Sequence, residues 1–212
     1  MGMALLVLAC NGSKIGENRG FKMSEYFPQD GERTASWVSE DTEVVERLTA
    51  EKFVEPIDQN GVDVYTWNYY HRLDEELTQI YTVDWAAPTG DGVQIYGYID
   101  ADGNSTPFDP PIQVAPITDY MNTGDILETE TGGATWTSEI LDVGTCEVEW
   151  GTLVWESCLH LRIDDGDSND DNDPGFAGEY WQVTTYGTAW FLPSGESKKW
   201  VLYDYDWVDT SQ

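Results

Sequence analysis

Basic residues are scarce in this chain. Its 212 residues hold 10 Lys plus Arg against 40 Asp plus Glu, a formal charge of −30 at pH 7. A surface of that sign repels phosphate backbones and anionic headgroups, which excludes nucleic acid as a partner. Histidine is nearly missing too, with only His71 and His160, each suited to a structural place in a strand. No H-E-x-x-H, G-x-S-x-G, S-x-x-K or G-x-x-x-x-G-K-S/T occurs. A zinc hydrolase, a serine nucleophile and a phosphate-binding loop are therefore without support. Among 40 carboxylates some pair will always meet glycosidase spacing, so that class gains nothing either. After the first residues no apolar run approaches the ~20 residues that span a bilayer. Helical periodicity is thin: DTEVVERLTAEKF (41–53) is the best window, and its Thr and Val suit a strand equally well. These absences lead us to expect a protein that is not an enzyme.

Aromatic residues are plentiful. There are 10 Trp, 12 Tyr and 6 Phe, and each buried aromatic removes roughly 150–250 Å² from water. That suffices for a proper core in a single domain, and it argues against wholesale disorder. The acidity fits two roles. One is solubility in a saline or calcium-containing medium, where screening acts over ~8–10 Å. The other is a cation-binding surface.

Residues 1–9 are apolar, and the polar, glycine-rich CNGSKIGENRG that follows reads as a tether. A core strand is the other reading of the opening run. Val7-Leu8-Ala9-Cys10 resembles the lipobox of bacterial lipoproteins. That resemblance implies a signal peptide over 1–9, whose true start lies upstream, and a diacylated Cys10 as the new first residue. Asn11 then implies the outer membrane or cell surface, with the lipid as the membrane anchor. The tether runs over 10–24 and one β domain over 25–209. With Cys10 lipidated, Cys146 and Cys158 are left as one pair in an oxidising compartment. They flank EVEWGTLVWES, and a turn near Gly151-Thr152 sets them opposite each other. A bridge there would stabilise by about 2–3 kcal/mol; two free buried thiols are the alternative.

Strand patterns fill the remainder: VDVYTWNYYHRL (62–73), LTQIYTVDW (77–85), VQIYGYI (93–99), TWTSEILDV (135–143), CEVEW (146–150), LVWESCLHLRI (153–163), EYWQVTTY (179–186) and KKWVLYDYDW (198–207). In the last, Val201, Tyr203, Tyr205 and Trp207 are expected on one face and Asp204 and Asp206 on the other. The expected fold is all-β, with little or no helix: a single antiparallel domain of about eight to ten strands, curved into a half-barrel or paired as a sandwich.

Four segments carry a wider resemblance. YFP (26–28), followed by Gly31 and Trp37, is similar to a Y-F-P-x-x-x-G-x-x-W domain opening. YMNTGDI (120–126) resembles a mid-domain V-G-D segment, EWGTLVWESCLHLRI (149–163) a G-T-F-x-x-C-L-x-V hairpin, and AWFLPSGESKKW (189–200) a Y-Y-A-P-G-V-G-L-V close. These features recur in uncharacterised β-rich bacterial lipoproteins of the TapB-like and related groups. The resemblance implies a curved antiparallel sheet on a surface lipoprotein and supplies no catalytic residues.

The loudest local feature is DDGDSNDDNDPG (164–175). Asp165, Asp167, Asn169, Asp171 and Asp173 offer oxygen at alternate positions, as weak Ca²⁺ binding requires. The EF-hand pattern fails, because Asp170 stands where glycine is needed and Phe176 where glutamate is needed. A solvated acidic loop is the plainer account. DADGN (100–104) starts similarly but reads as a β-turn. Trp150 and Trp155 flank the Gly151 turn and are candidates for stacking on a ligand. The expected function is a non-enzymatic, lipid-anchored envelope or surface protein with a binding or structural role, its partner an envelope protein or a glycan. The alternative is a Ca²⁺-dependent adhesion or carbohydrate-binding module. No cofactor is expected beyond weak Ca²⁺.

Overall fold

The computed structural model describes residues 26–28, 32–39, 46–52, 55–73, 76–86, 92–115, 122–144, 146–150, 153–155, 158–166, 175–184 and 186–208. Among them the fold is all-β. The first strands are β1 (Glu32–Ser39), β2 (Glu46–Lys52), β3 (Ile57–Gln59), β4 (Val62–Leu73), β5 (Glu76–Ala86), β6 (Val93–Ile99) and β7 (Ser105–Ala115). The next are β8 (Ile126–Thr131), β9 (Ala134–Val143), β10 (Val148–Trp150) and β11 (Leu153–Trp155). The last are β12 (Leu159–Asp164), β13 (Gly178–Val183), β14 (Gly187–Pro193) and β15 (Trp200–Val208). The window at 41–53 resolves as strand over Glu46–Lys52.

Strands β1, β2, β4, β5, β6 and β7 lie side by side in chain order, and so do β8, β9, β12, β13, β14 and β15. Neighbouring strands are antiparallel throughout; Gly132 and Gly133, at φ 63° and 87°, make the two-residue β8–β9 turn that only positive φ permits. Pairing of β15 with β1 joins the two meanders into one sheet, and β3, paired with β4, brings it to 13 strands. The outer strands β7 and β8 then meet. Gln113 N donates to Thr129 Oγ1 at 3.0 Å, and Ser138 Oγ on β9 donates to Val114 O at 2.7 Å. The sheet is thereby nearly closed and barrel-like.

Inward positions of the two meanders fill the interior. Phe176 is 1% exposed and packs against Trp136, Tyr98 and Phe108 at centroid distances of 5.2, 5.3 and 6.1 Å. Trp85 meets Tyr180 across the interior at 6.5 Å. Rings of this size supply most of the apolar burial that holds a barrel shut.

Three expectations need correction. The strands number more than ten, because several are short or weakly patterned. LVWESCLHLRI is not one strand: Leu153–Trp155 pairs with β10 in a separate two-stranded ribbon, and Leu159 starts β12 in the main sheet. On β15 the alternation breaks. Ser36 pairs with Asp204 but Trp37 pairs with Leu202, so Tyr203 is a bulged residue. Leu202 therefore faces in and Tyr203, 53% exposed, faces out.

Candidate functional site

The β14–β15 ladder holds only the pairs Trp190↔Val201 and Phe191↔Trp200. Beyond Trp190 the two strands no longer bond, and beside this seam lies a pocket of about 490 Å³, part of it open to solvent. Trp37 of β1, Trp67 and Tyr69 of β4, Trp85 of β5, Gln182 of β13 and Thr188 of β14 line it. Alternation sends every second side chain inward, and on β14 a bulge at Ala189, between the pairs Trp181↔Trp190 and Gln182↔Thr188, turns Thr188 inward as well. Tyr26 and Phe27, both buried, and Pro28 close one side, with Phe27 at 6.5 Å from Trp85. Trp37 Nε1 donates to Thr188 O at 3.0 Å, and Gln182 Nε2 donates to Thr188 Oγ1 at 2.9 Å. Among the described residues no lining side chain is charged.

A deeper recess, too small to hold more than about one water, shares Trp37, Tyr69 and Thr188 with the pocket and adds Tyr81, Tyr180 and Phe191. Tyr69 and Tyr81 stack at 4.5 Å with an interplanar angle of 22°. Tyr180 stacks on Phe191 at 4.6 Å, and its hydroxyl donates to Phe176 O. Burial pushes all three phenols well above the ordinary tyrosine value, and for Tyr81 the neighbouring Tyr69 and Tyr180 add to that. They stay protonated, and thus able to donate, throughout the physiological range. The pocket can grip an uncharged ring.

The expected site residues fall elsewhere. Cys146 and Cys158 sit at disulfide-bonding distance, Cα to Cα 5.4 Å, at the base of the β10–β11 ribbon as the hairpin spacing indicates. Trp150 pairs with Leu153 at the ribbon's end. Trp155 is half-buried and meets Tyr186, which lines the pocket, edge to face at 5.4 Å. The ribbon thus buttresses the pocket wall from outside. Asp165 directly follows β12, whereas Cys10 and Asp167, Asn169, Asp171 and Asp173 lie outside the described residues. Among the described residues no group of three His, Cys, Asp or Glu is placed to hold a metal ion. Asp100 is occupied by its own turn: its carboxylate accepts from the amides of Asp102 and Asn104 at 3.0 and 2.8 Å, and the Asn104 bonds hold its pKa down.

Two buried cations escaped the sequence reading. Arg33 donates to the Tyr205 hydroxyl, and Lys52 Nζ lies 4.2 Å over the Tyr65 ring. On the outer face His160 stacks on Trp181 at 4.1 Å and bonds Glu179 at 2.9 Å, while Lys199 covers Trp190 at 4.3 Å. His71 meets Trp200 edge-on at 6.4 Å. The chain matches no protein-family model, no curated protein and no solved structure.

Proposed function

We propose that the chain is a non-enzymatic, lipid-anchored protein of the outer membrane or cell surface whose barrel holds an uncharged, apolar ligand at the seam. The seam pocket carries the ligand part of this reading: seven aromatic side chains line it, and among the described residues no charged group does. A free sugar fits less well, because Gln182 and Thr188 bond each other and leave few groups for a polyol. A charged ligand would lose its hydration with nothing to replace it.

The test is titration with N-phenyl-1-naphthylamine, an uncharged fluorophore. Saturable one-to-one binding, weakened about tenfold by Trp67→Ala, is the expected result, since a stacked ring contributes ~1 kcal/mol or more beyond its burial. No saturable binding would overturn the ligand reading. For the anchor, the intact mass of the protein from its native host should show a chain starting at Cys10 with added acyl mass. An unmodified chain that retains residues 1–9 would overturn that part.

A further inference from the structure

Tyr186 lies in the connection between β13 and β14, and its ring lines the seam pocket. Two aromatic neighbours hold it edge to face. Tyr205 of β15 meets it at 5.0 Å, and Trp155 of the β10–β11 ribbon meets it at 5.4 Å. Trp155 is thus the ribbon's grip on the pocket wall. Val148 of the ribbon and Cys158 at its base, both 0% exposed, pack with Val183 and Ala189 in a small apolar cluster of their own.

That grip depends on the disulfide. The ribbon pairs through three positions, Val148↔Trp155, Glu149↔Val154 and Trp150↔Leu153. A two-stranded ribbon of this length is at best marginally stable in water. Among the described residues it pairs with no strand of the main sheet, and the Cys146–Cys158 bridge closes its base. Below the bridge the main sheet holds itself: Gly144 N donates to Cys158 O at 2.8 Å, and Val143 pairs with Leu159. Opening the bridge therefore frees the ribbon first. The sheet keeps its ladders, and Trp37, Trp67 and Trp85 stay on β1, β4 and β5.

We propose that the Cys146–Cys158 bridge is a redox switch on the seam pocket: the oxidised protein holds the apolar ligand, and reduction releases it by freeing the ribbon, Trp155 and so Tyr186. This extends the ligand reading above and rests on it. The reductant is an external dithiol. Cys158 is fully buried and Cys146 half-buried, so a thiolate of the dithiol attacks the Cys146 sulfur, and Cys158 leaves and takes up a proton. The second thiol of the dithiol then displaces Cys146, which takes up the other proton. Two electrons pass to the protein, and the dithiol ends as a cyclic disulfide.

The experiment titrates N-phenyl-1-naphthylamine into the oxidised protein, the protein reduced with dithiothreitol, and the Cys146→Ala, Cys158→Ala double variant with and without dithiothreitol. Reduction should weaken binding about tenfold in the wild type, since one aromatic wall is lost. The double variant should bind at the reduced level and ignore dithiothreitol. Trp155→Ala should bind at that level while still oxidised. The infrared β-sheet band should survive reduction. Equal affinity before and after reduction, a double variant that still answers dithiothreitol, or full affinity in Trp155→Ala would overturn the switch and leave the ligand reading standing. Loss of the sheet band on reduction would also overturn it, because the bridge would then hold the whole fold. Failure of the fluorophore to bind the oxidised protein would overturn the ligand reading and the switch with it.

Discussion

Trp37 and Thr188, 151 positions apart, are joined by a hydrogen bond from the indole Nε1 to the backbone carbonyl oxygen at 3.0 Å. The bond spans the seam where the β14–β15 ladder has stopped, so β1 reaches past β15 to hold β14. It substitutes one side-chain donor for the backbone bonds that the seam lacks.

Trp37→Phe should therefore destabilise the fold by about 2–4 kcal/mol, combining lost ring volume with an abandoned carbonyl. Trp85→Phe is the control, because Trp85 is equally buried and packs against Phe27 and Tyr180 through its ring. Guanidinium midpoints for both variants should separate by the worth of the hydrogen bond. Equal losses would mean that Trp37 holds the seam by packing alone.

The bridge between Cys146 and Cys158, with a sequence separation of 12, closes the loop that contains the β10–β11 ribbon. The Cys146→Ala, Cys158→Ala double variant should lose about 2–4 kcal/mol. The loss should be local before it is global, since the ribbon forms its own two-stranded sheet. Limited proteolysis should cut within 146–158 in the variant while the main sheet stays intact. Uniform cleavage throughout the chain would show instead that the ribbon and barrel unfold as one unit.

Gly178 has φ 143° and sits opposite Pro193, so a Cβ added there would lie 2.2 Å from Leu192 O and 2.9 Å from Pro193 Cα. Both obstacles are backbone and cannot rotate away. Gly178→Ala should cost more than ~3 kcal/mol or abolish soluble expression. Gly103→Ala, at φ 83° with nothing within 4 Å, should cost only ~1 kcal/mol. Thermal melts of the pair decide it, and similar melting temperatures would refute the close approach at β13–β14.

How much of this was legible depended on what each strand puts inside. β4 and β6 are readable to the residue because branched and aromatic side chains fill them. β1 is not, because its inward positions are Arg33, Ala35 and Trp37, which present no apolar alternation. β8 buries Thr129 and Thr131 for the same reason, and β7 carries three prolines that a strand tolerates only at an edge, which is where it lies. Asn60-Gly61 was an overlooked hairpin signal between β3 and β4. The cysteine pair was legible because its partners are near in sequence. The pocket was not: Trp37, Gln182 and Thr188 meet only once the meander closes on itself. Of its lining, the Tyr26-Phe27-Pro28 segment and Trp37 stood out in the sequence, but as a domain opening and not as a pocket. The Tyr203 bulge left no trace, since a bulge is set by the partner strand.

The buried phenols set the protein's alkaline limit. Tyr69, Tyr81 and Tyr180 have folded-state pKa values raised above the ordinary value of 10.0, chiefly by burial. A raised folded pKa gives stability that is complete below the unfolded value and lost as pH rises toward the folded one. Above pH ~10 the unfolded chain releases three protons that the folded chain retains, so stability should fall by up to ~4 kcal/mol per pH unit, about 1.36 for each phenol. Below pH 9 these groups should contribute no pH dependence. Chemical denaturation from pH 8 to pH 11.5 measures the slope, and Tyr81→Phe should lower it by one proton's share. Tyrosinate absorbance near 295 nm gives an independent check, because these residues should ionise only with unfolding. Gradual ionisation of all tyrosines near pH 10 in the folded protein would show that water reaches the inner recess freely, and the predicted slope would vanish with it.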